Sequence, residues 1–421
     1  MKKFLSIVLA LVMILSLAAC GGSEEGSSAA PADDTAAATD SQADTTPATD
    51  EAVESTFKAG FICLHNEQST YDLNFINAAK EACEKLGIPY VIKTGIDESE
   101  QCLAAAEELV EDEGCTYIFA DSFGHEPYIM QAAQEYPDVE FVHATGTHAH
   151  DAGIANFHNA FAAIYEGRYL AGVAAGLKLN EMIAAGTITA DQAKVGYVGA
   201  YNYAEVMSGY TSWFLGVRSQ CPTATMEVSY TSSWYDEAAE YETAKALISG
   251  GCVLISQHAD SMGAPRACEE NNVPNVSYNG STISVGPNTF IISSRINWVP
   301  FFEYSITAAM KGETFDADWT GTIATGSVEV TEINEAAAAE GTQAKLDEVK
   351  AAFEAGTLHV FDTTTFTVGG AELTTYLADV DDDGTFTGET EVVSDGYFHE
   401  SEYRSAPYFN ILIDGITELG N

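Results

Sequence analysis

The sequence has little positive charge. It contains 17 Lys and Arg against 63 Asp and Glu, which gives a formal net charge of −46 at pH 7. A chain of this charge repels the phosphates of nucleic acids and anionic lipid surfaces, so the composition excludes a nucleic-acid partner. An anionic ligand would need a dedicated basic pocket, and the scattered basic residues give no sign of one.

The sequence also lacks the motifs of common catalytic and metal sites. It has no CxxC pair, no P-loop, no GxSxG and no complete GxGxxG. Cys63 and Cys252 lie in strand-like apolar runs and Cys83 and Cys268 in helical ones, which predicts buried thiols rather than a disulfide framework or a zinc site. We therefore expect no cofactor and no catalytic residue.

Long apolar runs are missing except near the start of the chain. Residues 4–17 form one after Lys2 and Lys3, and this run is too short for a permanent bilayer span. It is followed by Ala-Ala-Cys20, which resembles the lipobox of secreted lipoproteins. Residues 1–20 are therefore predicted to be a signal peptide, and the resemblance implies that a lipid on Cys20 anchors the protein to the outer face of the cell membrane. A plain cleaved signal is the alternative.

Composition divides the rest of the chain. Residues 21–56 are Ser, Ala, Thr, Gly and acidic residues, which is typical of a disordered acidic linker. Beyond it, short apolar runs alternate with amphipathic stretches, and the alternation restarts after Asn156. This predicts an α/β fold with two lobes, each a parallel sheet with helices on both faces. The predicted lobes are residues 57–155 with about 293–312, and residues 156–292 with about 313–421, the latter including an irregular tail.

The apolar periodicity also predicts individual elements. The predicted strands are 58–64, 89–93, 117–120, 140–142, 195–198, 226–229, 253–256 and 276–278. The predicted helices are 72–86, 98–112, 126–136, 163–177, 205–219, 236–249, 297–310 and 333–355. Because parallel sheets bind ligands at the carboxyl ends of their strands, two such sheets facing each other predict a ligand-binding cleft.

The loop after the first predicted strand is polar and contains one aromatic residue. Tyr71 can stack on a planar ligand, and Asp72 beside it can accept a hydrogen bond from a ring N–H. Alternatively, Tyr71 is a hydrophobic staple and Asp72 an acid that stabilises the helix N-terminus. In both cases Ser69 or Thr70 would cap the helix. The loop alone leaves both interpretations open.

Five strings of residues resemble one known family. They are Phe119-Ala120-Asp121-Ser122, His143-Ala144-Thr145-Gly146, Tyr165-Glu166-Gly167-Arg168-Tyr169-Leu170-Ala171-Gly172, Ser233-Trp234-Tyr235-Asp236 and Gln257-His258-Ala259-Asp260-Ser261. In this order they resemble the signature segments of the basic membrane protein family, the PnrA-like substrate-binding lipoproteins of ABC importers. The resemblance implies a type I periplasmic-binding-protein fold and a purine nucleoside or nucleobase as ligand.

The resemblance also implies which side chains contact the ligand. In the family, aromatic rings stack on the purine while Asp and Asn side chains bind its polar edge. By position, Tyr71 matches the first stacking aromatic, and Tyr210 or Trp213 would supply the opposing one. The implied ligand-binding residues are Tyr71, Asp72, Asp121, Ser122, Tyr210, Trp213, His258, Asp260, Asn279 and Trp298.

Two of these positions depart from the family pattern. Asp72 stands where the family usually has Asn, and Asn279 stands where it typically has Asp. The second change removes a carboxylate that commonly holds a ribose or base. It therefore favours a free base or another planar heterocycle over a nucleoside.

A histidine-rich segment offers one possible metal site. His143, His148, His150 and Asp151 lie close together in the sequence, and neutral imidazoles with a carboxylate can bind zinc. Their spacing fits no common zinc motif. Solvated loop histidines are therefore the expectation, with zinc as the alternative.

An acidic segment in the tail resembles half of a calcium-binding loop. Asp379, Asp381 and Asp383 follow the DxDxDG spacing, but the twelfth position is Thr390 instead of Glu. An acidic turn is the expectation, and these three residues are a weak calcium candidate.

These observations together predict a lipid-anchored solute-binding receptor outside the cytoplasm. It would bind a purine nucleoside or nucleobase between its lobes and deliver it to an ABC permease. One alternative is a secreted nucleoside hydrolase in which Asp121 or Asp260 acts as a base near His258. Another is a surface sensor for a different planar heterocycle.

Overall fold

The computed structural model describes residues 57–380 and 387–420. The predicted signal peptide and linker, Cys20, Asp381 and Asp383 lie outside these residues. Within the described ranges, no helix is both long enough and apolar enough to cross a membrane.

Strands and helices alternate along most of the described chain. The strands are β1 (Ala59–Ile62), β2 (Tyr90–Lys93), β3 (Tyr117–Ala120), β4 (Glu140–Ala144), β5 (Phe157–Ala162), β6 (Lys194–Gly199), β7 (Thr225–Tyr230), β8 (Leu254–Gln257), β9 (Asn275–Tyr278), β10 (Phe290–Ile296), β11 (Asp318–Gly321), β12 (Val328–Val330), β13 (Leu377–Ala378), β14 (Thr390–Glu391), β15 (Val393–Ser394), β16 (Tyr397–Phe398) and β17 (Ile416–Glu418). The helices are α1 (Thr70–Leu86), α2 (Glu100–Glu111), α3 (Glu126–Glu135), α4 (Ile164–Ala184), α5 (Ala204–Gln220), α6 (Glu237–Ser249), α7 (Gly263–Asn271), α8 (Val299–Lys311) and α9 (Thr342–Glu354).

Two sheets organise these elements. The first has the order β11-β5-β4-β3-β1-β2, and all its strands pair in parallel. The second has the order β12-β10-β9-β8-β6-β7-β17 and is parallel except where β12 pairs with β10. Parallel neighbours require crossover connections, and helices provide most of them, whereas β4 and β5, and likewise β9 and β10, are joined without an intervening helix. The predicted α/β class is confirmed. We call each sheet with its helices lobe one and lobe two.

The strand pairing differs from the predicted lobe boundaries. β5 pairs with β4, and β11 pairs with β5, so both belong to the first sheet although the prediction placed residues 157–162 and 318–321 in lobe two. β10 continues to Ile296 in the second sheet, although the prediction placed residues from about 293 in lobe one. The break in periodicity near Asn156 marks a loop within lobe one instead of the passage between lobes.

Helix α1 shows how local sequence sets an element that positions the site. The Ser69 hydroxyl accepts a hydrogen bond from the Asp72 amide at 3.2 Å and caps the helix, as predicted. Gly87 ends it with φ 68, a left-handed conformation that glycine adopts without steric strain. The first turn of α1 therefore begins at a fixed position beyond β1.

Helices α4 and α5 pack with their backbones in contact in lobe two. A Cβ atom on Gly172 of α4 would lie 2.0 Å from the carbonyl oxygen of Trp213. A Cβ atom on Gly216 of α5 would lie 2.2 Å from the carbonyl oxygen of Tyr169. Only glycine permits this approach, and the aromatic residues of α5 are buried as a result.

The tail after α9 is held against lobe two. β17 pairs with β7 at the edge of the second sheet, where Ile416 lies opposite Met226. Nearby, Phe361 stacks on Phe409 with ring centroids 4.4 Å apart. The tail is therefore part of the folded unit, and its position bears on the ligand site.

Candidate functional site

An inner cavity lies where the carboxyl ends of the strands of the two sheets face each other. It leaves about 370 Å³ of empty space. Five of the predicted ligand-binding residues line it, namely Tyr71, Asp72, Ser122, His258 and Asp260. The cavity thus stands where open parallel sheets bind ligands. That these side chains bind a ligand remains a prediction.

Tyr71 forms part of the lobe-one wall. Its hydroxyl donates a hydrogen bond of 2.7 Å to the Asp121 carbonyl oxygen, and its ring packs edge-on against Phe75 at 4.9 Å. The Asp121 side chain lies beneath the cavity lining, where its Oδ1 accepts from the Leu64 amide at 3.1 Å. Asp121 therefore supports Tyr71 and is not itself in the wall.

Asp72 has structural partners in addition to its place at the cavity. Its carboxylate accepts hydrogen bonds from the His65 amide at 2.6 Å and from the Ser69 hydroxyl at 2.5 Å. It also stands in the first turn of α1, where a negative charge stabilises the helix. The structure favours the interpretation of Asp72 as an acid of the helix N-terminus, with its carboxylate bordering the cavity.

The opposing aromatics are not the ones predicted. Tyr210 and Trp213 were expected to face Tyr71, but Tyr210 donates to Glu418 at 3.0 Å and Trp213 is fully buried beside Tyr197. The reason is the close contact of α4 and α5, which turns both rings into the core of lobe two. The aromatic residues of lobe two that line the cavity are Trp234 and Tyr278.

Two other predicted residues lie away from the cavity. Trp298 stacks on Phe75 with ring centroids 4.5 Å apart and is 1% exposed. Asn279 adopts φ 61 just after β9 and is buried. Trp298 contributes to the aromatic core behind Tyr71, and Asn279 forms the turn that ends a strand.

A buried polar cluster stands behind the lobe-two wall. The Arg168 guanidinium donates to the Gln257 carbonyl at 2.8 Å and lies 3.0 Å from His258 Nδ1. Since a guanidinium can only donate, Nδ1 of His258 accepts this hydrogen bond. The ring proton is therefore on Nε2, which lies 3.2 Å from Oε1 of Glu205. Burial lowers the pKa of His258, so the ring is neutral at pH 7. Arg168 also lies over the Tyr278 ring, 3.3 Å from its centroid, and fixes this aromatic.

Asp260 presents an uncompensated carboxylate to the cavity. The residue is 5% exposed, and its carboxylate has no hydrogen bond or ion pair with any other described residue. Burial raises its pKa well above the usual range, and the nearby Asp72 raises it further. This shift favours the protonated acid in the free protein, whereas an N–H donor from a ligand would favour the ionised form and become its partner.

The main chain of Asp260 joins the two lobes. Its carbonyl oxygen accepts hydrogen bonds from the amide of Thr70 at 3.0 Å and from the Thr70 hydroxyl at 3.2 Å. Its amide donates to the Trp234 carbonyl at 3.0 Å. We call the contact with Thr70 the Thr70–Asp260 bridge. It holds the lobes together beside the inner cavity.

The histidine-rich segment does not converge on one point. His148 pairs with Glu126 at 2.8 Å, His150 pairs with Asp318 at 3.2 Å, and His143 Nε2 lies 2.6 Å from the Ser122 carbonyl. The three rings therefore serve separate local contacts. His143 is fully buried, which corrects the expectation of a solvated ring.

Another set of possible metal ligands lies below Tyr71. Donor atoms of Cys63, Asp72 and Asp121 lie within 4.8 Å of one another. Burial raises the pKa of the Cys63 thiol and of the Asp121 carboxyl, and the neighbouring carboxylates raise both further. Because a metal ligand must lose its proton, these two shifts oppose the binding of a cation by Cys63 and Asp121.

Comparison with known proteins identifies the family. Residues 63–356 match the family described as Bmp, ABC transporter substrate-binding protein, PnrA-like. The chain belongs to this family. The match confirms the resemblance found in the signature strings and covers every residue that lines the inner cavity.

Two curated relatives have different ligands in their names. A putative glucose-binding protein of an ABC transporter from Haloferax volcanii is 33% identical over 205 residues, which are 48% of this chain and 49% of the relative. A purine-binding protein from Brucella abortus is 31% identical over 238 residues, which are 56% of this chain and 63% of the relative. The matches thus span about half of the first relative and under two thirds of the second.

Solved structures support the fold. A solute-binding protein of an ABC transporter system from Conexibacter woesei is 20% identical, with a TM-score of 0.58 over 72% of this chain and 98% of that one. One from Aeropyrum pernix is 15% identical, with a TM-score of 0.61 over 72% of this chain and 93% of that one. The chain therefore has the two-lobed type I periplasmic-binding-protein fold. The family to which it belongs is described as one of substrate-binding proteins of ABC transporters.

The sequence prediction missed several residues of the cavity wall. Trp234 stood in a signature string without a role assigned to it, and Tyr278 and Glu205 were not considered. A signal was present, because Trp234 follows β7 and Tyr278 ends β9, both at carboxyl ends of strands. Glu205 gave no such signal, since its place depends on how α5 meets His258.

Proposed function

We propose that this protein captures a purine nucleobase or nucleoside in its inner cavity and delivers it to an ABC permease. The observation that carries this proposal is the buried Asp260 carboxylate, which faces the cavity without a partner in the described part of the chain. A purine N–H group would supply the missing donor, and hydrogen bonds to charged groups are among the stronger ones.

Aromatic rings on both sides of the cavity favour a flat ligand. Tyr71 is held by its hydroxyl on lobe one, and Tyr278 is held by Arg168 on lobe two, with Trp234 beside it. Rings fixed in this way lose little freedom when they stack on a heterocycle. The walls therefore suit a purine, whose faces are aromatic and whose edge carries donors and acceptors.

The charges at the cavity favour a ligand without phosphate. Three acids line it, namely Asp72, Glu205 and Asp260, whereas the nearby Arg168 lies behind His258. An anionic group would meet carboxylates on both lobes. A neutral base or nucleoside with N–H donors avoids this repulsion.

A sugar is the second candidate ligand. The relative from Haloferax volcanii is named as glucose-binding, and sugar hydroxyl groups can also donate to carboxylates. Aromatic rings suit either class, so the two candidates differ mainly in whether the ligand is planar. A direct comparison of ligands decides between them.

Thermal unfolding of the chain without residues 1–20 tests the proposal. The panel is adenine, hypoxanthine, adenosine, inosine, glucose and riboflavin. A ligand at 100 times its dissociation constant stabilises the fold by about 2.7 kcal/mol, which is a visible shift. A shift with purines supports the proposal, whereas a shift with glucose or riboflavin alone overturns it. Release of hypoxanthine from inosine in the same samples would instead indicate a nucleoside hydrolase.

Replacing Tyr71 by alanine is expected to weaken purine binding by about 1–3 kcal/mol, the range for stacking of a base on an aromatic side chain. Isothermal titration calorimetry measures the change. Tyr71→Phe is the matched control, because it keeps the ring and removes only the hydrogen bond to the Asp121 carbonyl. Equal affinity of the alanine variant and the unchanged protein would rule out Tyr71 as a stacking residue.

We also propose that lipid on Cys20 anchors the protein. The support is the lipobox-like string before Cys20. In a bacterial host that processes lipoproteins, the protein is expected to partition into the detergent phase of a Triton X-114 extract, and Cys20→Ala is expected to move it to the aqueous phase. Equal partitioning of the two forms would contradict the anchor.

A further inference from the structure

A second, larger space opens beside the inner cavity. We call it the outer groove, and it leaves about 1660 Å³ of empty space. Phe123, Thr145, Glu205 and Trp234 line both the inner cavity and the outer groove. The two spaces are therefore neighbouring parts of one interlobe site, and a ligand longer than a single heterocycle can extend from one into the other.

The far wall of the outer groove comes from the tail. Tyr376, Arg404 and Tyr408 line it, and all three follow residue 356, where the family match ends. Tyr408 is buried, and its hydroxyl donates to the His399 carbonyl. This wall is thus a fixed structure that the chain adds to the part it shares with the family.

Aromatic rings face the outer groove from both lobes. Phe123 of lobe one is 46% exposed and Tyr203 of lobe two is 45% exposed, with ring centroids 5.7 Å apart. Tyr203 is held from behind by Tyr201, which stacks on it at 5.1 Å and an interplanar angle of 11°. Large apolar side chains left exposed together in a cleft mark a binding surface.

The charged groups of the groove, Asp379 among them, interact with other parts of the protein. Glu126 pairs with His148, and Glu205 pairs with His258. Arg404 Nε donates to the Ala406 carbonyl at 3.2 Å, and its guanidinium lies 5.8 Å from the centroid of the Tyr408 ring. The guanidinium plane offers a further surface for stacking. The groove therefore favours an uncharged aromatic group over an ion.

We propose that the ligand is a purine-type heterocycle joined to a second, uncharged aromatic ring. This inference rests on the proposed purine-binding function. The heterocycle occupies the inner cavity. The second ring occupies the outer groove between Phe123, Tyr203 and the tail wall. The tail thus determines the class of substrate, because without it the groove would open to solvent on that side.

Matched pairs of ligands test this inference on the chain without residues 1–20. Calorimetry compares adenine with N6-benzyladenine and 9-benzyladenine, and hypoxanthine with 9-benzylhypoxanthine. The benzyl group is attached at two positions so that either edge of the heterocycle can face the outer groove. At least one benzylated compound is expected to bind about 5- to 100-fold more tightly than its parent, the gain that stacking of one ring provides.

Variants then locate the second ring. Tyr203→Ala on lobe two and Tyr376→Ala on the tail are each expected to reduce the ratio of benzyl to parent affinity by about 5-fold or more. Tyr304→Ala is the control, because Tyr304 of α8 is 40% exposed and lies outside both spaces. Its ratio is expected to stay unchanged, and circular dichroism checks that all three variants are folded.

The outcomes separate the two proposals. Parent purines that bind, together with benzylated compounds that bind equally or more weakly, would overturn the inference and leave the proposed function intact. A ratio that falls equally in the Tyr304 control would also overturn it, because the gain would not come from the groove. No binding by any purine, parent or benzylated, would overturn the proposed function and the inference together.

Discussion

Replacing Asp260 by alanine is expected to lower purine affinity by about 10- to 100-fold, because hydrogen bonds to charged groups contribute about 1.5–3 kcal/mol. The carboxylate is buried at the inner cavity and has no partner elsewhere in the described structure. Removing it leaves a ligand N–H group desolvated and unpaired. Calorimetry with the purine that gives the largest thermal shift measures the loss.

The same substitution is expected to stabilise the free protein at neutral pH. Burial raises the pKa of Asp260 in the folded state, so the folded chain holds this proton more tightly than the unfolded chain does. The protonated carboxyl therefore contributes its full stabilisation of the folded state below its pKa in the unfolded chain, about 3.9. This contribution is lost as the pH rises through its higher pKa in the folded chain. Asp260→Ala should therefore raise the unfolding temperature at pH 8 more than at pH 4. Unchanged affinity, or lower stability at pH 8, would contradict this assignment.

Replacing Gly172 by valine is expected to lower the free energy of unfolding by about 3 kcal/mol or more. Overpacking usually costs about 1–3 kcal/mol where the neighbouring side chains can move aside. Here the obstacle is main chain, because the new Cβ would lie 2.0 Å from the Trp213 carbonyl oxygen. Urea unfolding followed by circular dichroism measures the loss.

A control for the valine variant lies on the same helix. Ala184 is the exposed last residue of α4, and Ala184→Val is expected to change the free energy of unfolding by less than about 0.5 kcal/mol. If both substitutions lower the free energy of unfolding by a similar amount, the low helix propensity of valine would be the cause. In that case the close contact between α4 and α5 would not be the cause.

The sequence predicted those strands and helices whose apolar residues form a pattern within the element itself. β3 has the predicted bounds because an apolar run is flanked by polar residues on both sides. β5 was missed because His158 and Asn159 interrupt its pattern, yet both are buried. His158 reaches Glu140 and the Asp316 carbonyl, and Asn159 reaches Glu126. Such partners are distant in sequence, and periodicity does not reveal them.

The same distinction applies to the candidate site. The lobe-one wall was predicted in part because Tyr71 and Asp72 are adjacent in sequence and lie in the first turn of the helix that follows the first strand. The aromatic residues predicted for the lobe-two wall were wrong, because the direction of the Tyr210 and Trp213 side chains depends on the contact between α4 and α5. That contact requires glycine at positions far apart in the chain, and its geometry is a property of packing.

The Thr70–Asp260 bridge links opening of the cleft to the state of helix α1. Thr70 is the first residue of α1, and amides at a helix start have no acceptor within the helix. Lobe two supplies that acceptor through a main-chain carbonyl, so the bridge does not depend on the side chain at position 260. Each opening of the lobes exposes the Thr70 amide to water. At a pH where every opening leads to exchange, the exchange rate of this single amide equals the opening rate. That opening rate sets an upper limit on how fast a ligand can leave the closed cleft.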